Sequence, residues 1–383
     1  MPVEGVRRPA WAEISRSALA HNIAALQRVL GETKLCAVVK ANGYGHGAPL
    51  AAQAAVAAGA DALAVAIVDE GIELREAGVE HPILLLAEVP AETLPDALAA
   101  GLTVTVGSRA GARAVVAAAE RLGGRHRVHL KVNTGMHRQG VEPSEVDEVV
   151  DVLGASAALD LEGIYTHFPV ADGTSDEDRD FTQGQVRALA AVVARLGARG
   201  VRFRVVHAAN SAGALGYPSS RLDMARIGLS LYGYLPAPGL AAPLEAAGAR
   251  LEPVLTLRAR VVAAHRVAAG ERPSYGRRRA LARASTVVTV PFGYADGYPR
   301  RLFEAGAEVL IRGRRFPLAG VVTMDQLLVD VGDEDVALGE EVVLLGCQGD
   351  ECIGADEWAQ RAGTITWEIL CGIGARVPRV VVP

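Results

Sequence analysis

The first 240 residues alternate short apolar runs with alanine-rich segments of helical spacing, and this alternation constrains the fold more than any other feature. We count eight apolar runs, most of them followed by a helical segment. Short continuous apolar runs are typical of strands that are buried on both faces, as in a parallel sheet. Eight strand–helix units over roughly 200 residues favour a closed (β/α)8 TIM-type barrel over an open doubly wound sheet.

The predicted barrel strands span residues 34–39, 61–67, 82–86, 102–106, 127–132, 159–165, 203–206 and 223–227. Helices are predicted at residues 17–30, 48–58, 69–77, 91–100, 110–122, 143–153 and 178–196. No GxGxxG sequence follows the first of these strands, which disfavours a dinucleotide-binding fold.

The alternation stops near residue 240, where a Pro/Gly/Ala-rich connection begins. Beyond it we predict strands at residues 254–267, 285–290, 307–312, 320–322, 327–331 and 341–345, with a helix at 356–362. The pattern indicates a barrel domain over residues 1–240 and a mostly β domain over residues 241–383. Residues before about position 15 are open to pairing with the second domain.

Charge and cysteine content limit the possible partners and compartment. The net charge of −5 comes from interspersed charges, so neither nucleic acid nor an anionic membrane is an implied partner. Four cysteines without CxxC spacing are too few for a disulfide framework and fit a reducing cytosol. We see no apolar signal segment, no membrane span, and no metal-ligand spacing among the nine histidines. These features predict a soluble cytoplasmic protein without a metal site.

The most distinctive stretch is LCAVVKANGYGHG, residues 35–47, in which an apolar run ends on Lys40 before three glycines. A lysine at the mouth of a buried strand is partly desolvated, which lowers its pKa and makes its amine a usable nucleophile. This arrangement suits a Schiff base with an aldehyde cofactor. It also suits a solvated lysine before a turn. No GK[ST] follows the glycines, so a P-loop is disfavoured.

Polar residues gather where the predicted strands end, which is where active sites of barrel enzymes lie. Loops after the seventh and eighth strands commonly bind phosphate in this fold. Taken alone, a histidine here also fits a satisfied core position, and a strand arginine fits a buried ion pair. The residues concerned are Lys40, Lys131, Asn133, Arg138, His167, Asn210, Ser211 and Arg226.

Residues VVKANGYGHG resemble the pyridoxal-phosphate lysine motif of alanine racemases, which are fold type III enzymes, with Gly43 where the family usually has alanine. Other segments resemble the same family in order along the chain: KVNTGMHRQG, YTHFPVAD, HAANSAG, ARIGLSLYG, SYGR, FGYADGYPR, TMDQ and RVPR. The resemblance covers the chain from about Pro9 to its end. Chance agreement of so many ordered motifs is negligible.

The resemblance implies that pyridoxal 5'-phosphate is bound as a Schiff base on Lys40, with Arg226 facing its pyridine nitrogen. Arginine stays protonated, so it cannot hand a proton to the ring. In this family His167 packs near the ring and His207 hydrogen-bonds Arg226. Trp367 stands where relatives carry a tyrosine that contacts the phosphate. The other implied cofactor contacts are Tyr44, Asn210, Ser211, Gly228 and Leu229.

The resemblance also implies that Tyr275 is a second catalytic base, opposite Lys40. Lys131 matches a lysine that is carbamylated in some relatives. The segment around it departs from the family's KxDTGMGRxG pattern, with Asn133 in place of aspartate and His137 in place of glycine. The implied substrate contacts are Arg138, Tyr294, Met324 and Asp325.

The implied activity is interconversion of L- and D-alanine by two bases acting on opposite faces of a pyridoxal-phosphate aldimine. The family's tyrosine comes from the partner subunit, so a homodimer with shared active sites is implied, and D-alanine would serve as a peptidoglycan precursor or in catabolism. One alternative is an amino-acid racemase of broader specificity. A barrel-type decarboxylase would carry an acidic residue in place of Arg226. A non-catalytic pyridoxal-phosphate-binding protein would lack the second domain and Tyr275.

Overall fold

The structure, a computed structural model, describes residues 7–383, which divide into two units. The barrel unit comprises Ala18–Gly43 and Ala48–Glu252. The β unit comprises Tyr44–Gly47 and Pro253–Pro383, together with the described residues up to Ser17. Strand β1 (Ala10–Ser15) therefore belongs to the β unit, although it precedes the barrel in sequence.

Eight parallel strands form the barrel in the spatial order β4-β3-β2-β9-β8-β7-β6-β5. They are β2 (Lys34–Val38), β3 (Ala62–Val65), β4 (Ile83–Leu85), β5 (Val104–Val106), β6 (His126–Lys131), β7 (Leu159–Tyr165), β8 (Val205–His207) and β9 (Met224–Ile227). A parallel bridge between Leu84 and Thr103 joins the two ends of this order, so the barrel is nearly closed. The predicted fold class is confirmed, and each predicted barrel strand overlaps an observed one.

Helices follow most barrel strands and bury one apolar face each. In the first helix this face contains Leu19, Ile23, Leu26 and Leu30, as the spacing predicts. Ser108 and Ser175 cap their helices, because each side-chain oxygen accepts a hydrogen bond from a backbone amide three residues later. The α-helices that lie wholly or mostly in the barrel unit are Arg16–Leu30, Ala48–Ala57, Val68–Glu76, Leu94–Ala99, Arg109–Leu122, Val146–Gly154, Asp176–Ala198, Ser211–Gly216 and Ala242–Ala246.

The β unit contains a seven-stranded sheet and a three-stranded sheet. In the larger sheet the order is β14-β13-β16-β10-β1-β18, with β17 paired to β16; the smaller has the order β11-β12-β15. The strands are β10 (Leu255–Arg260), β11 (Ala263–Val267), β12 (Ser285–Val290), β13 (Glu308–Ile311), β14 (Arg314–Pro317), β15 (Leu327–Gly332), β16 (Glu341–Gln348), β17 (Glu351–Ile353) and β18 (Arg379–Val382). Its α-helices are Ala355–Ala362 and Thr366–Cys371.

Two predicted strands of the β unit differ from the structure, and four of its elements were not predicted. The predicted strand 254–267 is two strands, because the chain crosses between sheets at Val261, whose amide bonds to Glu340, and Val262, whose amide bonds to Thr289. The predicted strand 320–322 is a loop. A strand was missed at Arg314–Pro317, where adjacent arginines obscure the apolar pattern. Two short strands, Glu351–Ile353 and Arg379–Val382, and the helix Thr366–Cys371 were also missed.

Two cysteines form a disulfide that the sequence analysis did not expect. Cys347 and Cys352 lie directly opposite each other in the β16–β17 hairpin, with their Cα atoms 4.1 Å apart. Antiparallel pairing brings the two thiols within bonding reach, although their spacing matches no familiar motif.

Across residues 7–383, no helix is both long enough and apolar enough to span a membrane.

Candidate active site

Immediately beyond β2, Lys40–Tyr44 form a single left-handed turn, with φ of 52°, 54°, 60° and 51° at the last four residues. A left-handed conformation costs roughly 1–2 kcal/mol for each residue other than glycine. Such strain concentrates at functional sites, where surrounding contacts maintain it. The half-buried Lys40 begins this turn, at the carboxyl end of its strand.

Two side-chain contacts hold this turn. Glu70, in the helix after β3, accepts a hydrogen bond from the amide of Ala41 at 2.6 Å. The side-chain oxygen of Asn42 accepts one from the amide of Ala48 at 2.9 Å. These contacts fix the backbone around Lys40 from both sides. Sequence reasoning did not identify Glu70 as part of the site.

Arg226, in β9, is 3% exposed and is held at the same barrel end. Its Nη1 donates to His207 Nδ1 at 2.6 Å, and its Nη2 lies 3.2 Å from His167 Nδ1. Nη2 also donates to the carbonyl oxygens of Thr166 and Ala208, at 2.8 and 2.9 Å. Burial lowers the pKa of this guanidinium, but an arginine stays protonated in proteins.

The two imidazoles beside Arg226 are neutral. Burial, followed by the positive charge of Arg226, lowers the pKa of both His167 and His207 well below the usual range. Each therefore offers a lone pair at Nδ1 to the guanidinium, which can only donate. The Tyr165 ring stacks on His207 with centroids 4.6 Å apart, and Arg226 lies 5.0 Å above it.

A pocket of hydroxyls and amides lies beyond β8 and β9. Ser211 Oγ accepts hydrogen bonds from the amides of Gly228 at 3.0 Å and Ser230 at 3.5 Å. Asn210 accepts from the amide of Gly213 and caps the short helix that begins at Ser211. Ser230 Oγ is buried without a hydrogen-bond partner. Converging donors and an unsatisfied hydroxyl fit a bound phosphate, and the buried Leu229 lies in the same turn.

Lys131, at the end of β6, is buried and donates to the carbonyl oxygen of Leu86 at 3.1 Å. Burial lowers the pKa of its amine to about 8, and the charges of Arg226, Arg138 and Lys40 act in the same direction. Arg138 itself is exposed. Four positive side chains therefore converge on one end of the barrel, which favours binding of an anion.

The two departures from the family pattern interact with each other. Asn133 accepts a hydrogen bond from the amide of His137 at 2.9 Å, and its Nδ2 lies 3.0 Å from His137 Nδ1. Nδ2 also donates to Glu142 at 2.5 Å. His137 adopts a left-handed conformation, with φ of 52°. Together these contacts form the loop that carries Arg138.

In the β unit, the loop of residues 320–326 contacts the two segments that carry the predicted site residues Tyr275 and Tyr294. Ser274, next to Tyr275, donates from Oγ to the carbonyl oxygen of Val321 at 2.6 Å. The amide of Tyr294 donates to the carbonyl oxygen of Thr323 at 3.0 Å. The Val321 carbonyl is thus bonded to a side chain and not to a neighbouring strand, and residues 320–322 form a loop. Both tyrosines are exposed, Tyr275 at 73% and Tyr294 at 42%.

The same loop contains Met324 and Asp325. The carbonyl oxygen of Met324 accepts from the amide of Ala295 at 3.0 Å, while its side chain is 52% exposed. Asp325 forms an ion pair with Arg376 at 2.7 Å. The structure thus brings the β-unit candidates together around one loop, with several side chains directed to solvent.

Tyr44 is buried in the β unit, and burial raises the pKa of its phenol, which therefore stays protonated. Its segment packs closely on the helix Thr366–Cys371, because a Cβ added at Gly45 would lie 2.1 Å from the carbonyl oxygen of Leu370. The half-buried Trp367 lies in that helix. Tyr44 and Trp367 therefore belong to one packed region.

Sequence reasoning missed His129 and Tyr165, which lie among the predicted site residues. An alternation signal could have found them: His129 shares a strand face with Lys131, and Tyr165 pairs with Lys131 across the β6–β7 ladder.

Within residues 7–383, no group of three or more His, Cys, Asp or Glu side chains is placed to hold a metal ion.

Comparisons with known proteins agree over the whole chain. Residues 14–236 match the family described as alanine racemase, N-terminal domain, and residues 254–381 match alanine racemase, C-terminal domain. The chain is 46% identical to an alanine racemase of Symbiobacterium thermophilum, covering 99% of this chain and 98% of that protein. It is 43% identical to one from Carboxydothermus hydrogenoformans, covering 98% and 100%.

Solved structures give the same picture. An alanine racemase of Clostridium difficile superposes with a TM-score of 0.92 at 35% identity, covering 98% of this chain and 96% of that one. An alanine racemase of Bacillus anthracis with bound L-Ala-P superposes with a TM-score of 0.90 at 34% identity, covering 99% and 96%.

Proposed function

This chain belongs to the alanine racemase family, and on that premise we propose that Lys40 and Tyr275 are the two bases with which it interconverts L- and D-alanine. It is a pyridoxal-phosphate-dependent isomerase. When bound, the cofactor supplies a conjugated ring that acidifies the Cα proton of the amino acid. The protein's task is to orient that ring and to move the proton.

Arg226 provides the strongest support for this function. Its contacts with histidines and carbonyl oxygens involve Nη1 and Nη2. We assign its Nε–H to the pyridine nitrogen of the cofactor. A permanent donor there would keep that nitrogen unprotonated, so the ring would withdraw fewer electrons than a protonated ring does. Arg226 would thereby favour prompt return of the proton over side reactions such as transamination.

Other residues of the barrel end would hold the cofactor. Lys40 would bind its aldehyde carbon covalently, and the neutral His167 would pack near the ring. The phosphate would accept hydrogen bonds from Ser211 and the amides of Gly228 and Leu229, on a loop that Asn210 shapes. Tyr44 would add a phenol donor. The buried Ser230 hydroxyl offers one further donor to the phosphate.

Two bases are the simplest route to racemisation, because one base would have to cross the plane of the ring. Lys40 lies in the barrel unit and Tyr275 in the β unit. The 73% exposure of Tyr275 suits a side chain that completes the site of a partner subunit. We therefore propose a homodimer with shared sites. Arg138, Tyr294, Met324 and Asp325 would bind alanine and limit its access.

The first test is an assay for D-alanine formed from L-alanine, repeated with bulkier amino acids to detect a broader specificity. Borohydride reduction of the cofactor-loaded enzyme should then fix the label on Lys40. The chain has only two other lysines, Lys34 and Lys131, which serve as internal controls. Label on either of these, or no D-alanine formed, would contradict the proposal.

The role of Arg226 is tested separately by Arg226→Glu. A carboxylate can share a proton with the ring nitrogen, so racemisation should fall by about two orders of magnitude and pyruvate should form by transamination. If both rates match the wild type, Arg226 has a purely structural role.

Sharing of the site is tested by co-expressing Lys40→Ala with Tyr275→Phe. Each homodimer lacks one base at every site and should be nearly inactive. A mixed dimer carries both substitutions at one site and neither at the other, and random assembly makes about half the dimers mixed. Activity should recover to roughly a quarter of wild type per chain. No recovery in a purified mixed dimer would place both bases on one chain.

We also propose a cytoplasmic location and a use of D-alanine as a peptidoglycan precursor. Cys36 and Cys371 lie outside the disulfide and keep their thiols, which fits a reducing compartment, whereas the Cys347–Cys352 disulfide fits an oxidising one; cell fractionation tests the location. Rescue of a D-alanine auxotroph would support the biosynthetic role.

The domain boundary near residue 240 stays a prediction, which limited proteolysis can test.

A further inference from the structure

A line of hydrogen bonds continues from Arg226 past His207 into the barrel. His207 Nε2 lies 2.9 Å from His129 Nδ1, and His129 Nε2 lies 3.4 Å from Oε2 of Glu162. Both imidazoles are buried, with 0% and 4% exposure, whereas the Glu162 side chain is 18% exposed. The line therefore joins a buried guanidinium to a carboxylate that reaches solvent.

The donors fix the direction of every bond in this line. Arginine can only donate, so His207 Nδ1 must accept. His207 is neutral, which places its proton on Nε2 and makes His129 Nδ1 the next acceptor. Burial also lowers the pKa of His129 despite the opposing effect of Glu162. The single proton of the neutral His129 ring is then on Nε2, facing the carboxylate.

Glu162 is ionised at neutral pH. The hydrogen bond from His129 lowers its pKa to about 2 against the effect of burial, and the cations Arg127 and Arg204 act in the same direction. Arg204 also forms an ion pair with it at 3.2 Å. The carboxylate is thus a permanent acceptor at the outer end of the line.

Gly163 makes the contact between the two histidines possible. Strand β7 runs between β6, which carries His129, and β8, which carries His207. Gly163 pairs with His129 in the β6–β7 ladder. A Cβ added at Gly163 would lie 2.7 Å from both Cε1 and Nε2 of the His129 ring. Only glycine therefore leaves room for the ring in this position.

We propose that His129 and Glu162 are positioning residues for Arg226, and that they act by fixing the proton positions of His207. Without the carboxylate, the His129 proton can move to Nδ1. His207 Nε2 must then accept, and the His207 proton moves to Nδ1. Two donors, the Nδ1–H of His207 and the Nη1–H of Arg226, then face each other. The guanidinium would lose that contact and its orientation. This inference rests on the proposed role of Arg226 at the cofactor ring.

Glu162→Gln tests the proposal, because a glutamine amide can face His129 with either its oxygen or its NH2 group. Asp160→Asn is the matched control: Asp160 lies on the same strand and also pairs with Arg204, at 2.5 Å, but belongs outside the histidine line. In cofactor-loaded enzyme, Glu162→Gln should lower kcat about tenfold, the lower end of the loss seen when a metal-bound histidine loses its carboxylate partner. KM for alanine should stay within about twofold.

A second measurement is independent of activity. In the apoenzyme, 15N NMR of labelled histidine distinguishes protonated from unprotonated ring nitrogens. Wild type and Asp160→Asn should show His207 protonated at Nε2 only, and Glu162→Gln should show a mixture of tautomers. Gly163→Ala, which displaces the His129 ring, should shift the same His207 signals.

The outcomes separate this proposal from the proposed function. A wild-type enzyme without racemase activity would contradict the function itself. An active wild type together with wild-type kcat and unchanged His207 signals in Glu162→Gln would overturn the positioning role. An equal loss of kcat in Asp160→Asn would also overturn it, since the effect would then follow from surface charge.

Discussion

Arg379 donates hydrogen bonds to the carbonyl oxygen of Gly45 from both Nε and Nη2, at 3.0 and 2.8 Å. The same guanidinium binds three further carbonyl oxygens, those of Ile373, Gly374 and Val377. Arg379 thus ties the segment after Tyr44 to the end of the chain. This contact explains the last arginine of the RVPR motif, which the sequence alone could identify but not explain.

Arg379→Lys should destabilise the protein and weaken cofactor binding. A lysine has three donors at one point and cannot reproduce the planar fork that bridges these carbonyl oxygens. Several lost bonds to a charged donor should lower the free energy of unfolding by about 3 kcal/mol. Chemical denaturation measures that loss, and cofactor titration should show weaker binding because Tyr44 loses its anchor.

Arg312→Lys is the control for this change. Arg312 also donates to a carbonyl oxygen, that of Asp335, and pairs with Glu340, but it lies at the surface. Exposed pairs contribute little, so the substitution should alter stability by less than about 1 kcal/mol. Equal losses in the two variants would remove any special role for Arg379.

Gly43→Ala, which restores the residue usual in the family, should destabilise this chain. Gly43 has φ of 60°, and an added Cβ would lie 3.1 Å from Ala51 Cβ. Left-handed backbone and tight contact together should cost about 1–2 kcal/mol. Gly154→Ala is the control, because Gly154 is helical with open space around it, and it should be neutral or stabilising. Denaturation of the apoenzyme measures the free energy of unfolding of both variants. If Gly43→Ala is as stable as the wild type, an alanine is not strained at this position.

The barrel and most of the candidate site could be predicted because they depend on local patterns. Strands such as β2 are buried on both faces, so their residues are apolar throughout, and the polar residues at their ends stand out. The line from His207 to Glu162 could not be predicted in this way. It depends on the register that places Gly163 beside His129, and a glycine inside a strand has no single meaning in sequence.

The disulfide and the sheet change at Val261 escaped prediction for a related reason. Cys347 and Cys352 meet only because a hairpin pairs them. At Val261 the chain stays apolar while its hydrogen-bond partners change from one sheet to another. Apolar periodicity reports burial, but it does not report which strand is the neighbour.

Asn133→Asp should destabilise the loop that carries Arg138, although aspartate is the usual residue of the family. Asn133 Nδ2 donates to Glu142 at 2.5 Å, and an aspartate would place a second carboxylate there. Repulsion and the lost donor should cost about 2 kcal/mol in neutral solution. The double variant Asn133→Asp/Glu142→Gln should recover most of this loss, because the glutamine supplies a donor. A double-mutant cycle by denaturation measures the coupling; additive losses would contradict the contact.

Lys131 should take up carbon dioxide as a carbamate. Burial and the cations Arg226, Arg138 and Lys40 lower its pKa to about 8, so a substantial neutral fraction exists in mildly alkaline solution. The neutral amine attacks CO2, a C–N bond forms and one proton is released. An anion then replaces a cation in a cluster of positive charge, which is the electrostatic reason to expect the reaction here.

The initial rate of uptake at fixed dissolved CO2 should rise about tenfold per pH unit below the pKa of Lys131 and level off above it, because it follows the fraction of neutral amine. The free energy of unfolding changes with pH in the same direction. The amine of Lys131 loses its proton near pH 8 in the folded protein but near pH 10.5 in the unfolded chain. Between these values the unfolded chain binds more protons, so the free energy of unfolding rises with pH. 13C NMR after labelling with 13C-bicarbonate should show one carbamate signal, absent in Lys131→Arg. The exposed Lys34 provides an internal reference. A signal that persists in Lys131→Arg, or uptake that falls with rising pH, would show that this lysine is not the site.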